Sequence, residues 1–469
     1  MNPRLCRAER LALAFGIVAS LGFLLHQWWY PSNLYDAGQY AKMGHNIVEH
    51  GLFSRFTASA LRTYGFPIFL SLIYLIAGTL RVPSLLLLFL VQFGLYLVAS
   101  LLLRRSLAAM SPLAGRVAFC GLMLNYYALL YIPECLTESV SLSTLLLLGS
   151  GWLEAYRRRG PLLLVAGVSL VAGFSILIRP ANMFMTATWV VGVVLIAARG
   201  RLSGARPAVF AAVVAICVSL PLLPQLAYNG LRFGRWTPLL AQDLGKMQQA
   251  WGIRDLKYAT AMPPSPEARV HYVNPWVHGT TLDDNAPLRW YAEHPGRGLL
   301  TLAVHSFNLL DQDLLFTYSR DLTPWYRIPL GALNHAAVAL GLLGLLMGVN
   351  HVFRTPDHPR RDAMALLVVM MTSTWAMHVW TAVEMRFGFA LLAALFPLAA
   401  YATVELARSA SQTVVIGMSV LVVAYVSGAL ALSGWVREQS PLIYAAVAGQ
   451  GYQPEASGSE PRRGTATVR

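Results

Sequence analysis

The residues of this sequence best suited to chemistry are ionisable side chains that stand at the ends of long apolar runs. Four are acids and four are bases: Asp36, Glu134, Glu138, Glu384, Lys42, Arg62, Arg179 and Arg386. Charged groups beside hydrocarbon are costly, and they mark functional sites by default. In the topology derived below they all fall on one face of the membrane, so we expect them to form one polar pocket.

Such a pocket suits an anionic amphiphile held at the level of the lipid headgroups. The planar guanidinium of arginine matches the oxygen atoms of a phosphate. A carboxylate can act as a general base or hold sugar hydroxyls. The alternative is that these groups pair with one another and only fix the ends of helices, and for each single residue that alternative stays open.

The elements that must position these residues are helices in a membrane. Of the 469 residues 56% are hydrophobic and only 12% are charged, against about 25% charged in an ordinary soluble domain. The mean hydropathy is +0.52. These values exclude a disordered chain, a fibrous protein and an ordinary cytosolic enzyme. The net charge of +14 is interpreted as a topology signal and not as a nucleic-acid footprint, because basic residues mark cytoplasmic loops.

Apolar runs of about 20 residues alternate with short arginine clusters and predict about eleven transmembrane helices. The arginine clusters and the N-terminus are placed in the cytoplasm, and the acidic turns at the outer face of the membrane. Arginines in the tail argue mildly for an even number of spans. The predicted spans cover residues 11–30, 83–103, 113–131, 139–156, 161–178, 183–198, 208–227, 328–349, 363–381, 387–407 and 414–432.

Two loops on the outer side stand out. The first, residues 31–62, is predicted to carry interfacial helices, and the apolar stretch 64–80 is predicted to lie partly in the membrane. The second is about 100 residues long and is expected to read the acceptor. We divide the chain into an N-terminal transmembrane core, a large periplasmic loop, C-terminal transmembrane helices and a polar tail, at 1–227, 228–327, 328–432 and 433–469.

Four segments, in order along residues 10 to 410, give the chain a family resemblance. They are Asp36-Ala37-Gly38-Gln39-Tyr40, Arg62-Thr63-Tyr64-Gly65-Phe66-Pro67-Ile68-Phe69-Leu70, Leu177-Ile178-Arg179-Pro180 and Glu384-Met385-Arg386-Phe387. The pattern resembles the membrane-embedded GT-C glycosyltransferases, which use polyprenyl-phosphate sugars. Among these it is most similar to the lipid A aminoarabinose and lipopolysaccharide-core transferases, with the protein O-mannosyltransferases more distant.

The resemblance implies an all-α, GT-C-like bundle that moves a sugar from a polyprenyl-phosphate donor to lipid A, lipopolysaccharide, another glycan or a protein. Direct displacement of the phosphate would invert the anomeric configuration. Asp36 is the expected base. The expected contacts of the donor phosphate are Arg62, Arg179, Arg386 and Lys42. The residues expected to hold the sugar or orient the arginines are Glu134, Glu138, Glu384 and Tyr40.

Neither a metal nor another cofactor is expected. The first loop offers the single acid Asp36, followed by Ala37 where the O-mannosyltransferases carry a second acid. Oligosaccharyltransferases carry an Asp-x-Asp arrangement that binds metal, and we identify none in this sequence. Histidines in the large loop do not have metal-ligand spacing, and we interpret His271, His278, His294 and His305 as solvated or structural. The four cysteines show no disulfide or metal pattern.

Two other functions remain as alternatives. A flippase or transporter of lipid-linked sugars would also need a charged cavity, but it predicts ionisable residues near the bilayer midplane and repeated halves. A non-catalytic envelope-assembly protein would have no use for clustered acids and arginines. The charges at span ends and the lack of an internal repeat favour the transferase.

Overall fold

The computed structural model describes residues 5–29, 35–57, 59–158, 160–199, 206–258, 271–312, 327–354, 361–409 and 411–439. These residues form a helical bundle with a small sheet in the large loop. The helices are α1 (Arg7–Trp29), α2 (Tyr35–His50), α3 (Gly65–Leu80), α4 (Ser84–Ala108), α5 (Pro112–Leu124), α6 (Tyr126–Leu130), α7 (Glu138–Arg157), α8 (Leu162–Ile178), α9 (Met183–Ala198), α10 (Pro207–Ser219), α11 (Leu223–Phe233), α12 (Leu244–Arg254), α13 (Leu288–Glu293), α14 (Pro295–Asn308), α15 (Arg327–Arg354), α16 (Arg361–His378), α17 (Phe389–Arg408) and α18 (Gln412–Glu438). The strands are β1 (Asp255–Tyr258) and β2 (His271–Val273).

Within this described part of the chain, seven helical stretches are long and apolar enough to cross a membrane. They contain α1, α4, α9, α10 with α11, α15, α17 and α18. The prediction of an all-α polytopic membrane protein is therefore confirmed. A helix also lies at each of the other predicted spans, but α5 and α8 are shorter, with 13 and 17 residues. The count of about eleven spans stays a prediction.

The predicted span 113–131 is not one continuous helix. It is divided at Asn125, whose side chain accepts a hydrogen bond from the backbone N–H of Ala128 at 2.7 Å. An asparagine in this position ends one helix and caps the next, because its side chain takes the place of a backbone hydrogen-bond acceptor. The length of the apolar run alone does not reveal this break.

The predicted first outer loop, residues 31–62, contains the helix α2, and α3 follows it. With 16 residues at about 1.5 Å each, α3 is roughly 24 Å long, shorter than the hydrocarbon core of about 30 Å. This length agrees with the expectation that residues 64–80 lie only partly in the membrane.

The helices α7 and α17 form the centre of the bundle, and α18 lies at its edge. In the apolar stretch that contains α17, 83% of the residues are buried inside the protein, against 6% for α18. The central helix packs against α5, α7, α15 and α16. Because α18 leaves its apolar side chains uncovered, it has the character of a helix that faces lipid.

Two glycines let backbone segments approach closely beside the predicted site. A Cβ atom at Gly65 would collide with the backbone of Leu177, and one at Gly388 would collide with the carbonyl of Leu309. The start of α3 therefore rests directly on the end of α8. The start of α17 rests in the same way on the residue that follows α14.

The large loop packs onto the segment between α16 and α17 through backbone hydrogen bonds. The N–H of Ala382 donates to the carbonyl of Gln248 at 2.7 Å. The antiparallel pair β1 and β2 lies next to this contact. Residues 259–270 and 313–326 of the predicted loop, and 440–469 of the predicted tail, lie outside the described residues.

Candidate active site

Six of the predicted site residues come together in one place, which we call the Arg386 cluster. Asp36 lies in the first turn of α2, Glu138 begins α7, and Arg179 directly follows α8. The other members are Arg62, before α3, and Glu384 and Arg386, between α16 and α17. Segments as far apart as residues 36 and 386 thus contribute to one group of charges.

Arg386 is the hub of this cluster. Its Nε donates to Glu384 Oε2 at 2.5 Å, its Nη2 to Asp36 Oδ2 at 2.6 Å and its Nη1 to Glu138 Oε1 at 3.4 Å. A single guanidinium therefore bonds to three carboxylates, which its fork of five N–H donors permits. The side chain is 7% exposed, so these contacts form in a largely water-free environment.

Two further arginines close the cluster. Arg62 Nη2 bonds to Asp36 Oδ1, whereas Arg386 bonds to Oδ2. Arg179 Nη1 donates to Glu138 Oε1 at 2.7 Å. The side chains of Asp36 and Arg62 are 21% and 17% exposed, whereas Glu138 and Glu384 are fully buried. Asp36 and Arg62 therefore form the accessible edge of the cluster.

The cluster is electrically balanced. Its three carboxylates and its three guanidinium groups give a formal charge of zero. Glu384 has one oxygen without a hydrogen bond, because its Oε1 is buried and accepts none from the described residues. Burial raises the pKa of Glu384, although Arg386 opposes the shift.

The backbone explains why Arg62 and Arg179 meet. The hydroxyl of Thr63 donates to the carbonyl of Leu177 at 2.7 Å, and Gly65 makes the close approach to Leu177 described above. The residue after Arg62 and the residue two before Arg179 are thus joined by a buried hydrogen bond. The Arg-Thr-Tyr-Gly and Leu-Ile-Arg-Pro segments predicted to act together do meet.

Aromatic rings pack against the three arginines of the Arg386 cluster. The guanidinium carbon of Arg179 lies 4.9 Å from the ring centroid of Phe387, and that of Arg386 lies 5.5 Å from it. Arg62 lies 5.6 Å from the centroid of Tyr40. Such cation–π contacts are worth more when they are shielded from water. Tyr40 therefore belongs beside the cluster, as a support for Arg62.

Lys42 is not brought into the cluster. It is exposed, and no hydrogen bond or ion pair to the six clustered residues is seen in the described part of the chain. Six positions on an α-helix correspond to a rotation of about 600°, which turns Lys42 roughly 120° away from Asp36. The expectation that Lys42 stands behind the arginines is not supported by this geometry.

Glu134 is adjacent to the cluster but takes no part in its ion pairs. Its Oε2 accepts a hydrogen bond from Gln27 at 3.1 Å, and its backbone carbonyl accepts one from Gln92 at 3.0 Å. It is 1% exposed. Burial, reinforced by the negative charge of Glu138, raises the pKa of Glu134 well above its usual range. The surroundings of Glu134 therefore favour the neutral form of its carboxyl group.

Sequence patterns did not reveal Tyr258, which reaches the cluster from the large loop. Its N–H donates to the carbonyl of Val383 at 2.8 Å, and its ring meets Phe387 edge-on with 6.0 Å between centroids. Burial raises the pKa of the Tyr258 phenol well above its usual range, and the charge of Glu384 adds to the shift. A strand of four residues in a long loop gives no periodic signal that could have predicted it.

A second group of charges, the Asp311 cluster, was not predicted either. Asp311 Oδ2 accepts hydrogen bonds from Lys257 Nζ and from the Ser433 hydroxyl, both at 3.0 Å, and Oδ1 lies 3.2 Å from His335 Nε2. The side chains of Asp311, Lys257 and His335 are at most 2% exposed. Burial opposes ionisation of Asp311, but Lys257 and His335 outweigh it and hold its pKa at about 2.

The Asp311 cluster also corrects the interpretation of the metal motifs. Residues 311–313 read Asp-Gln-Asp, which is an Asp-x-Asp sequence that the choice of candidate acids overlooked. Asp311 is already bonded to a lysine, a histidine and a serine, and Asp313 lies outside the described residues. Within the described residues, no group of three or more His, Cys, Asp or Glu side chains is arranged to hold a metal ion.

No protein-family model and no curated protein sequence matches the chain. Among solved structures it is similar to the Archaeoglobus fulgidus oligosaccharyltransferase, tethered with an acceptor peptide or in the apo form, each with a TM-score of 0.48, 13% identity and 95% coverage of this chain. A structure of the archaeal oligosaccharyltransferase AglB from the same organism, with an inhibitory peptide and a dolichol-phosphate, gives a TM-score of 0.44 at 13% identity and 95% coverage. The chain spans only 57–58% of the length of these neighbours. Function is therefore argued from the chain's own residues.

Proposed function

We propose that the protein is a GT-C glycosyltransferase that transfers a sugar, with inversion, from a polyprenyl-phosphate donor to a cell-envelope acceptor. The observation that carries this proposal is the pairing at Asp36, whose two oxygens bond to Arg62 and Arg386 at the accessible edge of the cluster. A candidate base and candidate phosphate ligands thus lie within one hydrogen-bonded group. The order of the four sequence segments supports the same class of enzyme.

The reaction needs only what this group contains. In the donor the anomeric carbon is bonded to a phosphate, which leaves as an anion without being protonated. The acceptor hydroxyl attacks this carbon from the opposite side and transfers its proton to the carboxylate of Asp36. The bond from the sugar to the phosphate breaks as the new glycosidic bond forms. Arg62, Arg179 and Arg386 stabilise the charge that develops on the leaving phosphate.

The resting cluster is not ready for this step, because both oxygens of Asp36 are already bonded to arginines. A donor phosphate competes for those same guanidinium groups, since phosphate and carboxylate match the arginine fork equally well. When the phosphate binds to Arg62 or Arg386, an oxygen of Asp36 becomes available to the acceptor. The base is thus activated by donor binding, because without donor both oxygens of Asp36 are bonded to arginines.

Several finer features of the proposal come from the sequence. The distribution of arginines places the N-terminus in the cytoplasm and the cluster at the periplasmic face of a bacterial inner membrane. The segments around Asp36 and Arg62 favour lipid A or lipopolysaccharide as the acceptor, and the large loop would read it. A transporter is less favoured, because the clustered charges lie at the ends of helices and not at the bilayer midplane.

The test is an in vitro transfer assay with purified protein in nanodiscs, polyprenyl-phosphate sugars and envelope acceptors. Candidate sugars and acceptors are first identified by mass spectrometry of envelope glycans from cells with and without the gene. Asp36→Asn should lower kcat about 10²- to 10⁴-fold, the range for loss of a general base. Donor affinity should stay the same or increase, because the variant cluster carries a net positive charge.

The control for this assay is Asp243→Asn, which changes an exposed acid of the large loop and should leave kcat unaltered. A folded Asp36→Asn protein with near-normal kcat would eliminate Asp36 as the base. No divalent cation takes part in the proposed reaction, so the rate should persist in excess EDTA. Loss of activity that magnesium or manganese restores would contradict that part of the proposal.

A further inference from the structure

One short strand of the large loop sends consecutive side chains into the two clusters. Side chains alternate between the faces of a β-strand, and in β1 this alternation separates Lys257 from Tyr258. Lys257 is fully buried in the Asp311 cluster, with Nζ 3.0 Å from Asp311 Oδ2 and 3.2 Å from its backbone carbonyl. Tyr258 reaches the Arg386 cluster. The strand is thus a physical link between the two.

On the side of the Arg386 cluster, Tyr258 contacts the residues that hold the hub. Its backbone pairs in parallel with Glu384, through the hydrogen bond from its N–H to the carbonyl of Val383. Its ring packs against Phe387, whose own ring contacts the guanidinium groups of Arg179 and Arg386. Tyr258 therefore contacts the residues on both sides of Arg386 in the chain.

On its other side the strand is held in register. Sliding of β1 along residues 383–384 would pull Lys257 away from Asp311, inside a protein environment where both charges are at most 2% exposed. Separating such a pair leaves uncompensated buried charges, which is strongly unfavourable. The ring of His271, from β2, stacks on Tyr258 with 6.2 Å between centroids and is bonded to Asp255. Tyr258 is thus held in place by Lys257 along the strand and by His271 from β2.

We propose that Tyr258 is a positioning residue for the Glu384–Arg386 ion pair, and that Lys257 and Asp311 hold Tyr258 in place. This inference rests on the proposed function, because the purpose of the pair would be to aim Arg386 at the donor phosphate. Glu384 Oε2 holds Nε of Arg386, which directs the two Nη groups toward Asp36 and Glu138. If Tyr258 no longer fixes the segment from Val383 to Phe387, Arg386 loses that direction and contacts the phosphate poorly.

The first experiment compares Tyr258→Ala with Tyr291→Ala. Both changes remove an aromatic ring from the large loop. Tyr291 is a suitable control, because its ring packs against Trp290 and Trp380 and, within the described residues, makes no ring contact with the Arg386 cluster. An aromatic pair corresponds to about twofold to tenfold in an equilibrium. Tyr258→Ala should raise the donor KM by about that factor with little change in the acceptor KM. Tyr291→Ala should change neither.

A double-mutant cycle separates positioning from a general loss of structure. If Tyr258 acts through Arg386, the losses caused by Tyr258→Ala and Arg386→Lys should be clearly less than additive in donor KM. Fully additive losses, or equal effects of the two tyrosine variants, would overturn the inference. Lys257→Met, which releases the strand, should reproduce the donor KM effect of Tyr258→Ala in the fraction of protein that remains folded. A normal donor KM in that folded fraction would refute the role given to Lys257.

Binding measurements keep this inference distinct from the proposed enzyme activity. A water-soluble short-chain polyprenyl phosphate can be titrated into each purified protein and its affinity measured by intrinsic fluorescence. Weaker binding to Tyr258→Ala alone would support the positioning role even if no sugar transfer is found, whereas the lack of transfer would count against the proposed function. Equal binding to wild type, Tyr258→Ala and Tyr291→Ala would overturn the positioning role.

Discussion

The Arg386 cluster and the Asp311 cluster are built from similar charges but differ in how those charges are shared. In the Asp311 cluster a single carboxylate bonds to Lys257, His335 and Ser433, and the charged side chains are at most 2% exposed. In the Arg386 cluster three carboxylates share three guanidinium groups, and an edge of the cluster is open. One arrangement is complete, and the other can exchange partners.

This difference has a consequence for function. A carboxylate in a closed network cannot be reached by a ligand, so its contribution is to stability and to the position of the strand beside it. An arginine that bonds to several carboxylates at an accessible edge can give one of them up for a phosphate at modest cost. We therefore expect variants of the Asp311 cluster to lose stability first, and variants of the Arg386 cluster to lose activity first.

The largest effect expected from changes in these two clusters is on folding. Asp311→Asn leaves Lys257 buried without its carboxylate partner, and breaking one side of a buried ion pair costs about 3–5 kcal/mol. The free energy of unfolding in mild detergent measures the loss. The control is Asp284→Asn in the same loop, which breaks the exposed pair with Arg254 and should cost no more than about 1 kcal/mol. Equal losses would show that the buried cluster is not special.

The same variant predicts a change in acid sensitivity. The folded-state pKa of Asp311, about 2, lies below its ordinary value of 3.8. Its ionised form thus stabilises the protein above about pH 4, and this stabilisation is lost as the pH falls toward 2. Asp311→Asn should show a shallower loss of stability over that interval than wild type. An unchanged slope would contradict the assignment of Asp311 as an ionised, paired group.

The next effect concerns catalysis through the hub of the open cluster. Arg386→Ala removes both charge and fork, whereas Arg386→Lys keeps the charge and loses the fork. By analogy with deletions of an oxyanion donor, the alanine variant should lose about 10²–10³ in rate, or about 2.7–4 kcal/mol of transition-state stabilisation. Donor affinity should fall in the order Arg, Lys, Ala.

Protein level and thermal stability must accompany these rates, because Arg386 also pairs with Glu384. If Arg386→Ala unfolds the protein and a second change, Glu384→Gln, restores the fold without restoring a role in donor binding, the arginine serves only as a structural ion pair. That result would place the Arg386 cluster in the same category as the Asp311 cluster.

The sequence predicted the members of the Arg386 cluster better than it predicted which of them pair with one another. Each member stands at the end of an apolar run, where charge is conspicuous, and these ends converge because α3, α7, α8 and α17 pack together. The sequence could not show that Arg386 would be the hub, since pairing depends on side-chain directions in a turn between two helices. Lys42 was misplaced because proximity in sequence does not ensure the same helix face.

The Asp311 cluster could not be predicted from the sequence, for a different reason. Lys257 and Asp311 lie in a long polar loop where charged residues are expected on the surface, and His335 lies within an apolar helix. Their meeting is a long-range tertiary event without a local pattern. The one available signal was the rarity of lysine in this arginine-rich chain, where it occurs only at residues 42, 246 and 257.

The smallest expected effect tests the boundary of the open cluster, at two glutamates four positions apart. Glu138 begins α7 and bonds to Arg179 and Arg386. Glu134 precedes the helix, so the rule that places residues four apart on one helical face does not apply to it. Its neighbours are the amides of Gln27 and Gln92. The two glutamates are equally buried but have opposite electrostatic surroundings.

The matched variants Glu134→Gln and Glu138→Gln should therefore behave differently. Because the surroundings of Glu134 favour its neutral form, replacing it with an amide should alter stability at pH 7 by less than about 1 kcal/mol. Glu138→Gln takes a carboxylate partner from Arg179 and Arg386 and should be clearly destabilising. The sign of the pH dependence gives a second check. Because the folded state raises the pKa of Glu134, it holds this proton more tightly than the unfolded chain. Stability must then fall as the pH rises above about 4.5, and Glu134→Gln should remove that decline. If Glu134→Gln instead lowers stability and activity as much as Glu138→Gln does, Glu134 is ionised and belongs to the open cluster after all.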